Sequence, residues 1–344
     1  QREREESLIG MMRVSLLKRL ESSIESFESS LERTIQKIEK IEETINDFKQ
    51  SPQNNKIEFH AVLPFSDNEN NDEEAVDEGD EEYSNEQELW QVGKKLKFDL
   101  EDLEIEKWLT DMKKDKDAIT SVYNNAKAVT PERDAKLNEL KKIIKEKVLK
   151  PFNDDNKKVL IFTAFADTAE YLYENINKWA KNELKVETAM VRGSSSKTTA
   201  GRNDYNSILS NFSPVSKMRN SIDSRLIYDD IDILIATDCI SEGQNLQDCD
   251  FLINYDIHWN PVRIIQRFGR IDRLGSRNKK IKLVNFWPTK DLDSYIKLKE
   301  RVEAKMALVD VTATAEDNIL NTDQLQELIS EDLKYRSQQL KKLQ

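Results

Sequence analysis

The sequence predicts an α/β fold: a parallel sheet with helices on both faces, preceded by an arm of long helices. Three observations predict it. After residue 156, short apolar runs alternate with amphipathic stretches, which is strand then helix, repeated. Runs such as VLIF (Val159–Phe162) contain no polar position, as expected of strands buried on both faces. Upstream, apolar residues recur at steps of three and four, the pattern of a helix with one narrow sticky face.

Composition sets the bounds. The chain has 344 residues, a formal net charge of −12 and 38% hydrophobic residues, room for about two domains. The acidity is local. Ser66 to Glu88 holds twelve Asp/Glu and no Lys/Arg, and reads as a solvated, disordered loop. Outside that run the charges balance, so net charge does not argue against binding nucleic acid. Cys239 and Cys249 fit neither a disulfide framework nor a zinc pattern, and His60 and His258 add no metal site. With no signal peptide and no long apolar run, a soluble protein of a reducing, cytoplasmic compartment is expected, without a membrane. The chain opens on Gln1, so it is expected to be a piece of a longer protein.

The arm comes first. Leu17, Leu20, Ile24, Phe27, Leu31, Ile35, Ile38, Ile41, Ile45 and Phe48 form a seam over about four heptads, ended by Pro52. A second helical stretch spans roughly Glu86 to Ala128. An antiparallel arm with the acidic run in its connection is preferred to an oligomer built on the seam. Thr130-Pro131-Glu132 reads as a helix start. The expected divisions are 1–130 for the arm, 131–310 for the sheet domain and 311–344 for a helical tail.

The sheet domain has expected strands at Val159–Phe162, Val186–Val191, Ile231–Ala236, Phe251–Ile253 and Ile281–Phe286. Thr168–Trp179, Asn203–Phe212 and Pro261–Leu274 read as the intervening helices. In such sheets ligands bind beyond the carboxyl ends of the strands, so the residues after each run carry the information. Thr163 to Asp167 suits a turn and helix cap. Arg192 to Arg202 (RGSSSKTTAGR) is not a phosphate loop, because Ser196 stands where a glycine must precede the lysine. It reads either as a flexible loop touching a nucleic-acid backbone or as an inert surface loop. Ala236 to Gln247 (ATDCISEGQNLQ) clusters small and amide-bearing residues where a ligand could approach. Pro261 then begins a helix that runs through QRFGRIDR, Gln266 to Arg273. At 100° per residue, Arg263, Gln266, Arg270 and Arg273 share a stripe without an acid, opposite Ile264, Ile265, Phe268 and Ile271. Arginines in this pattern suit planar recognition of phosphate oxygens. Gly269 inside a helix costs about 1 kcal/mol relative to Ala and suggests close approach to the backbone.

QRFGRIDR matches the Q-R-x-G-R-x-x-R signature of superfamily-two helicases and translocases. ATDCISEGQNLQ and VLIFTAF (Val159–Phe165) resemble two further motifs of that family, in the same order. The resemblance covers roughly residues 132 to 290, the second of the family's two RecA-like domains of DEAD/DEAH type. It is closest to the Swi/Snf-like and bacterial transcription-recycling branch. Met11 to Ser23 resembles the segment that joins the two domains there. The resemblance implies that Arg270 and Arg273 are arginine fingers on the γ-phosphate of ATP and that Gln266 helps place it. It puts Glu242, Gly243 and Asn245 near the nucleotide, and Thr163, Gly193 and Thr237 near the DNA or RNA backbone. The chain has no G-x-x-x-x-G-K-[ST] and no acidic box at the end of an apolar strand. It therefore holds half an ATP site. ATP and Mg²⁺ would be bound only together with the N-terminal RecA-like domain of the parent protein, and this chain alone is expected to be inactive. A binding module whose arginines meet an acidic protein partner is the alternative.

Overall fold

Val159 to Phe162 has no polar side chain to offer water, so a strand made of it needs cover on both faces. The computed structural model supplies that cover. It describes residues 2–50, 104–153, 155–193, 195–219, 229–240, 244–258, 261–272, 276–290 and 292–293. The acidic run, the tail at 311–344, the start of the second helical stretch, and Glu242, Gly243 and Arg273 lie outside the described residues. The chain divides into two units, one formed by Gln1–Ser23 with Ala135–Gln344, the other by Ile24–Asp134.

In the first unit the order is α1 (Arg2–Ser22), α4 (Ala135–Leu149), β1 (Val159–Phe162), α5 (Ala166–Trp179), β2 (Glu187–Arg192), β3 (Ser195–Thr198), α6 (Tyr205–Phe212), β4 (Ile231–Ala236), β5 (Phe251–Asn254), α7 (Pro261–Phe268) and β6 (Lys282–Asn285). Among the described residues these strands form a six-stranded sheet in the order β3-β2-β4-β1-β5-β6. Every pairing is parallel except β2 with β3. The expected parallel α/β sheet is thus present, with one antiparallel edge hairpin added.

Alternation along the strands divides the core. Val159, Ile161, Ile233, Ile235 and Ile253 face α4 and α5, meeting Leu140, Ile144, Leu172 and Ile176. Leu160, Phe162, Leu234, Ala236 and Leu252 face the other way, onto Ile208, Leu209, Phe212 and Ile271. These residues are all buried. Ladder bonds continue past the strand ends, from Thr163 N–H to the Ala236 carbonyl at 3.0 Å and from Thr237 N–H to the Val191 carbonyl at 3.1 Å. Those bonds hold the carboxyl ends of β2, β4 and β1 in register.

The second unit contains α2 (Ile24–Gln50) and α3 (Ile105–Lys127). Lys116 pairs with Glu42 at 2.8 Å and Lys49 with Glu106 at 2.6 Å, so the two helices run antiparallel. Ile38, Ile41 and Ile45 pack against Ile105, Trp108, Leu109 and Met112, using the seam visible in the sequence.

The residues of α1 fall in the same unit as the sheet. Two expectations are corrected by the fold. The seam is not one helix, because Ser23 interrupts it between α1 and α2. The segment from Arg192 onward is not a loop: Arg192 pairs with Ser195, forming a hairpin. Gly193 takes φ 40° there, which a glycine adopts without cost. No helix among the described residues is long and apolar enough to cross a membrane.

Candidate functional site at the carboxyl ends of the strands

The helix α7 stops at Phe268, short of the expected Leu274. Gly269 N–H still bonds the Ile265 carbonyl at 2.8 Å, and Arg270 N–H then bonds the Arg267 carbonyl at 3.1 Å as the chain turns. Arg270 is therefore off the stripe that a continuous helix would give it, and it is buried. Arg273 lies outside the described residues. A Cβ added at Gly269 would meet the Ile265 carbonyl at 3.4 Å, an ordinary contact. Nothing described within the chain demands that glycine. Ile265, expected on the sheet side, is 36% exposed.

The residue that fixes α7 is Arg267, which the stripe argument leaves out. It is fully buried. Its Nε and Nη2 donate to Asp238 Oδ1 and Oδ2 at 2.6 and 2.7 Å. Its Nη1 donates to Asn254 Oδ1 at 3.0 Å. The guanidinium also lies over the Phe162 ring, 5.2 Å from its centre. Asn254 in turn donates to Asn285 Oδ1 at 2.8 Å. One side chain thus ties the ends of β1, β4, β5 and β6 to α7. Burial alone would raise the Asp238 carboxyl, but Arg267, with help from His258 and Arg263, holds it below its ordinary value. A signal for this was present: at 100° per residue Arg267 falls on the same side of the helix as Ile264 and Ile271. An arginine placed there must be paired.

The candidate residues fall into two groups. Asn245, Gln266 and Arg270 belong to the first. Leu246 N–H bonds the Arg270 carbonyl at 3.0 Å, bringing the segment after β4 against the end of α7. That segment is pinned from the other side, where Lys217 donates to Gln244 Oε1 and Ser216 Oγ donates to the Asn245 carbonyl at 3.4 Å. Gln266 Oε1 is buried and has no hydrogen-bond partner among the described residues. An amide presents either its oxygen or its NH₂ at such a place, so this end of Gln266 can accept or donate a hydrogen bond.

Gly193, Thr237 and Thr163 form the second group, a row along the neighbouring ends of β2, β4 and β1. Thr237 is half-buried, its hydroxyl 3.2 Å from Cys239 Sγ. Thr163, expected near the nucleic-acid backbone, has its hydroxyl turned into the fold. It is fully buried, and its hydroxyl donates to Asp256 Oδ2 at 2.5 Å. Asp256 also accepts from Ala164 N–H at 2.7 Å and from Ser22 Oγ of α1 at 2.7 Å. Ser22 and Ser23 both share hydrogen bonds with Thr168, at 2.7 and 2.8 Å. Arg19 of α1 pairs with Asp167 at 3.2 Å and lies over the Phe165 ring. The turn after β1 is therefore the seat of α1.

Residues 135–275, which include both groups, match the model of the helicase conserved C-terminal domain. An uncharacterized ATP-dependent helicase, YqhH of Bacillus subtilis, is 36% identical over 34% of this chain and 17% of its own length. The ATP-dependent RNA helicase DBP8 of Candida albicans is 33% identical over 26% of this chain and 19% of its own length. The matched stretches thus span less than a fifth of those two relatives. The C-terminal part of the Fun30 ATPase domain covers 48% of this chain and 45% of its own at 21% identity, with a TM-score of 0.33.

Proposed function

From the premise that residues 135–275 carry a helicase conserved C-terminal domain, we propose that this chain is the C-terminal half of an ATP-dependent nucleic-acid helicase or translocase. In this reading the group Asn245, Gln266 and Arg270 meets the triphosphate, and Arg273, Glu242 and Gly243 join it. The observation that carries it is the buried, unpartnered amide end of Gln266, which meets a phosphate when its NH₂ is turned outward, four residues before Arg270 at the carboxyl end of a parallel sheet. The residues fit a polyphosphate. Among the described residues, Asp238 beside this group accepts two hydrogen bonds from Arg267, which offset its charge toward an anion.

Bound ATP would supply the phosphoanhydride to be cleaved and, with Mg²⁺, the charge that must be stabilised. The chain's own residues act by position. Phosphoryl transfer depends on placement and charge stabilisation rather than on covalent chemistry by the protein. Arg270 offers a fixed positive charge, and Gln266 a hydrogen bond that orients the terminal phosphate. Arg267 keeps both in place by locking α7 to the strand ends. Thr237 and Gly193, on the adjacent strand ends, lie where a DNA or RNA backbone would pass, so that a shift of the α7 end would be felt there. The phosphate loop and the metal belong, in this reading, to an N-terminal RecA-like domain of the parent protein.

The test is nucleic-acid-stimulated ATP hydrolysis by the parent protein. Arg270→Ala is expected to lower kcat by about 10³-fold or more, the usual worth of an arginine finger, with an unchanged unfolding midpoint. This chain alone is expected to show no turnover. An Arg270→Ala parent with full activity would refute the assignment.

A further inference from the structure

The opposite rim of the sheet, where the parallel strands begin, has its own charge pattern. Two segments form it: the described residues 150–153 and 155–158, leading from α4 into β1, and residues 276–282, leading into β6. Lys150, Lys157, Arg277, Lys279, Lys280 and Lys282 are all exposed there. None forms an ion pair with any described residue. Elsewhere in the same unit exposed lysines do pair, as Lys142 with Glu139, Lys145 with Glu183 and Lys181 with Glu187. In a chain with 65 acids against 53 basic residues, unpaired cations gathered on one rim call for a physical reason.

The acids near these segments are mostly spent. Asp250 is buried against Lys147 at 2.7 Å and accepts from Asn153 at 2.8 Å. Asp248 accepts the Val215 and Ser216 N–H groups at 2.6 and 3.0 Å. Asp230 pairs with Lys158 and Arg219 at 3.7 and 2.6 Å. Asp155, Glu146 and, ahead of β4, Asp229 are exposed described acids on this side of the unit, and Asp232 in β4 feels the charges of Lys157 and Lys158; against the six cations these four acids leave a positive excess.

The rim is also held together. Asn153 Nδ2 donates to the Lys280 carbonyl at 2.7 Å, and Asn156 Nδ2 donates to Asn278 Oδ1 at 2.9 Å. Asn278 Nδ2 donates to the Gln247 carbonyl at 3.0 Å. These bonds cross-link the two segments through their backbones and amides; Lys282 Nζ lies over the Phe251 ring at 5.5 Å, and the other five cationic side chains are exposed. A fixed frame carrying exposed cations is suited to a repeating anion, because each phosphate neutralised releases a condensed counterion without reordering the protein.

We infer that this rim is a second nucleic-acid contact, binding the phosphodiester backbone without regard to sequence, at the end of the sheet away from the proposed ATP site. It stands independently of the ATP reading, since it needs neither nucleotide nor the second domain.

The test is fluorescence anisotropy of this chain with labelled duplex and single-stranded DNA, without nucleotide, across a salt series. Combining Arg277→Ala, Lys279→Ala and Lys280→Ala is expected to weaken binding about tenfold near 0.1 M salt. It should also reduce the salt slope by about one for each phosphate no longer neutralised. A charge-preserving set, Arg277→Lys with Lys279→Arg and Lys280→Arg, is expected to bind as the parent sequence does. Three results would overturn the inference. One is no measurable binding by the unaltered chain. Another is the alanine set binding with unchanged affinity and slope. The last is polyglutamate bound more tightly than DNA through the same three cations, which would make the rim a surface for an acidic protein.

Discussion

At the scale of single residues, Arg267 decides most. Removing one partner of a buried charge pair strands the other, which costs about 3–5 kcal/mol. Arg267→Ala is therefore expected to destabilise the sheet unit by about that amount, read from the denaturant midpoint. Arg267→Lys is expected to recover only part, because an ammonium offers no fork to match both Asp238 oxygens. An unchanged midpoint in Arg267→Ala would show that the bond is dispensable. Arg270, three residues on, contrasts with it. Both are members of one arginine-rich octet, yet Arg267 is spent inside the fold. Which arginine does which is not legible from the octet alone. The choice depends on Asp238 and Asn254, which reach the helix only once the strands are in register.

At the scale of elements, legibility follows the strength of the apolar signal. β1 and β4 occupy the residues expected of them, because VLIF and IDILIA are apolar nearly throughout and too short for a helical period. β3 escapes detection because Ser195-Ser196-Lys197-Thr198 is polar throughout, and an edge strand exposed to water carries no hydrophobic pattern. The end of α7 is misleading for the opposite reason: Ile271 keeps the helical spacing and is buried, although the chain has already turned. The seat of α1 is invisible in the sequence, since it consists of Ser and Thr hydroxyls whose partners lie far along the chain. That junction makes a pH prediction. Burial, together with the nearby Asp256 charge and against the pull of Lys136, pushes the Glu21 carboxyl from 4.5 up to about 7. Between those values the folded protein holds a proton that the unfolded chain has released, so stability falls as pH rises through the window. The fall from pH 4.5 to pH 8 is on the order of 3 kcal/mol, at roughly 1.36 kcal/mol per pKa unit. Glu21→Gln is expected to flatten that part of the stability profile, measured by denaturant unfolding at a series of pH values. A profile identical to that of the unaltered chain would remove Glu21 as its source.

At the scale of the whole molecule, the first unit is interrupted in sequence but closed in space. Lys136 Nζ donates to the Glu21 and Ser22 carbonyls at 2.5 and 3.1 Å. The points where the chain leaves this unit and returns to it are thus tied by one side chain. Replacing Ile24–Asp134 with a Gly/Ser linker of about six residues, which spans up to roughly 20 Å, is expected to leave the sheet unit folded. Circular dichroism and a single cooperative unfolding transition would confirm it, and disappearance of that transition would show that the unit depends on the inserted helices. The same discontinuity bears on synthesis. Ser22 is separated from Asp256 by 234 positions. At translation rates of about 5–20 residues per second, α1 waits roughly 10–50 s for its partner to be made. Asp167 and Thr168, the partners of Arg19, Ser22 and Ser23, are made earlier, but the carboxylate that completes the junction comes last, so closing the unit is a late event, reached after the ribosome has finished β5.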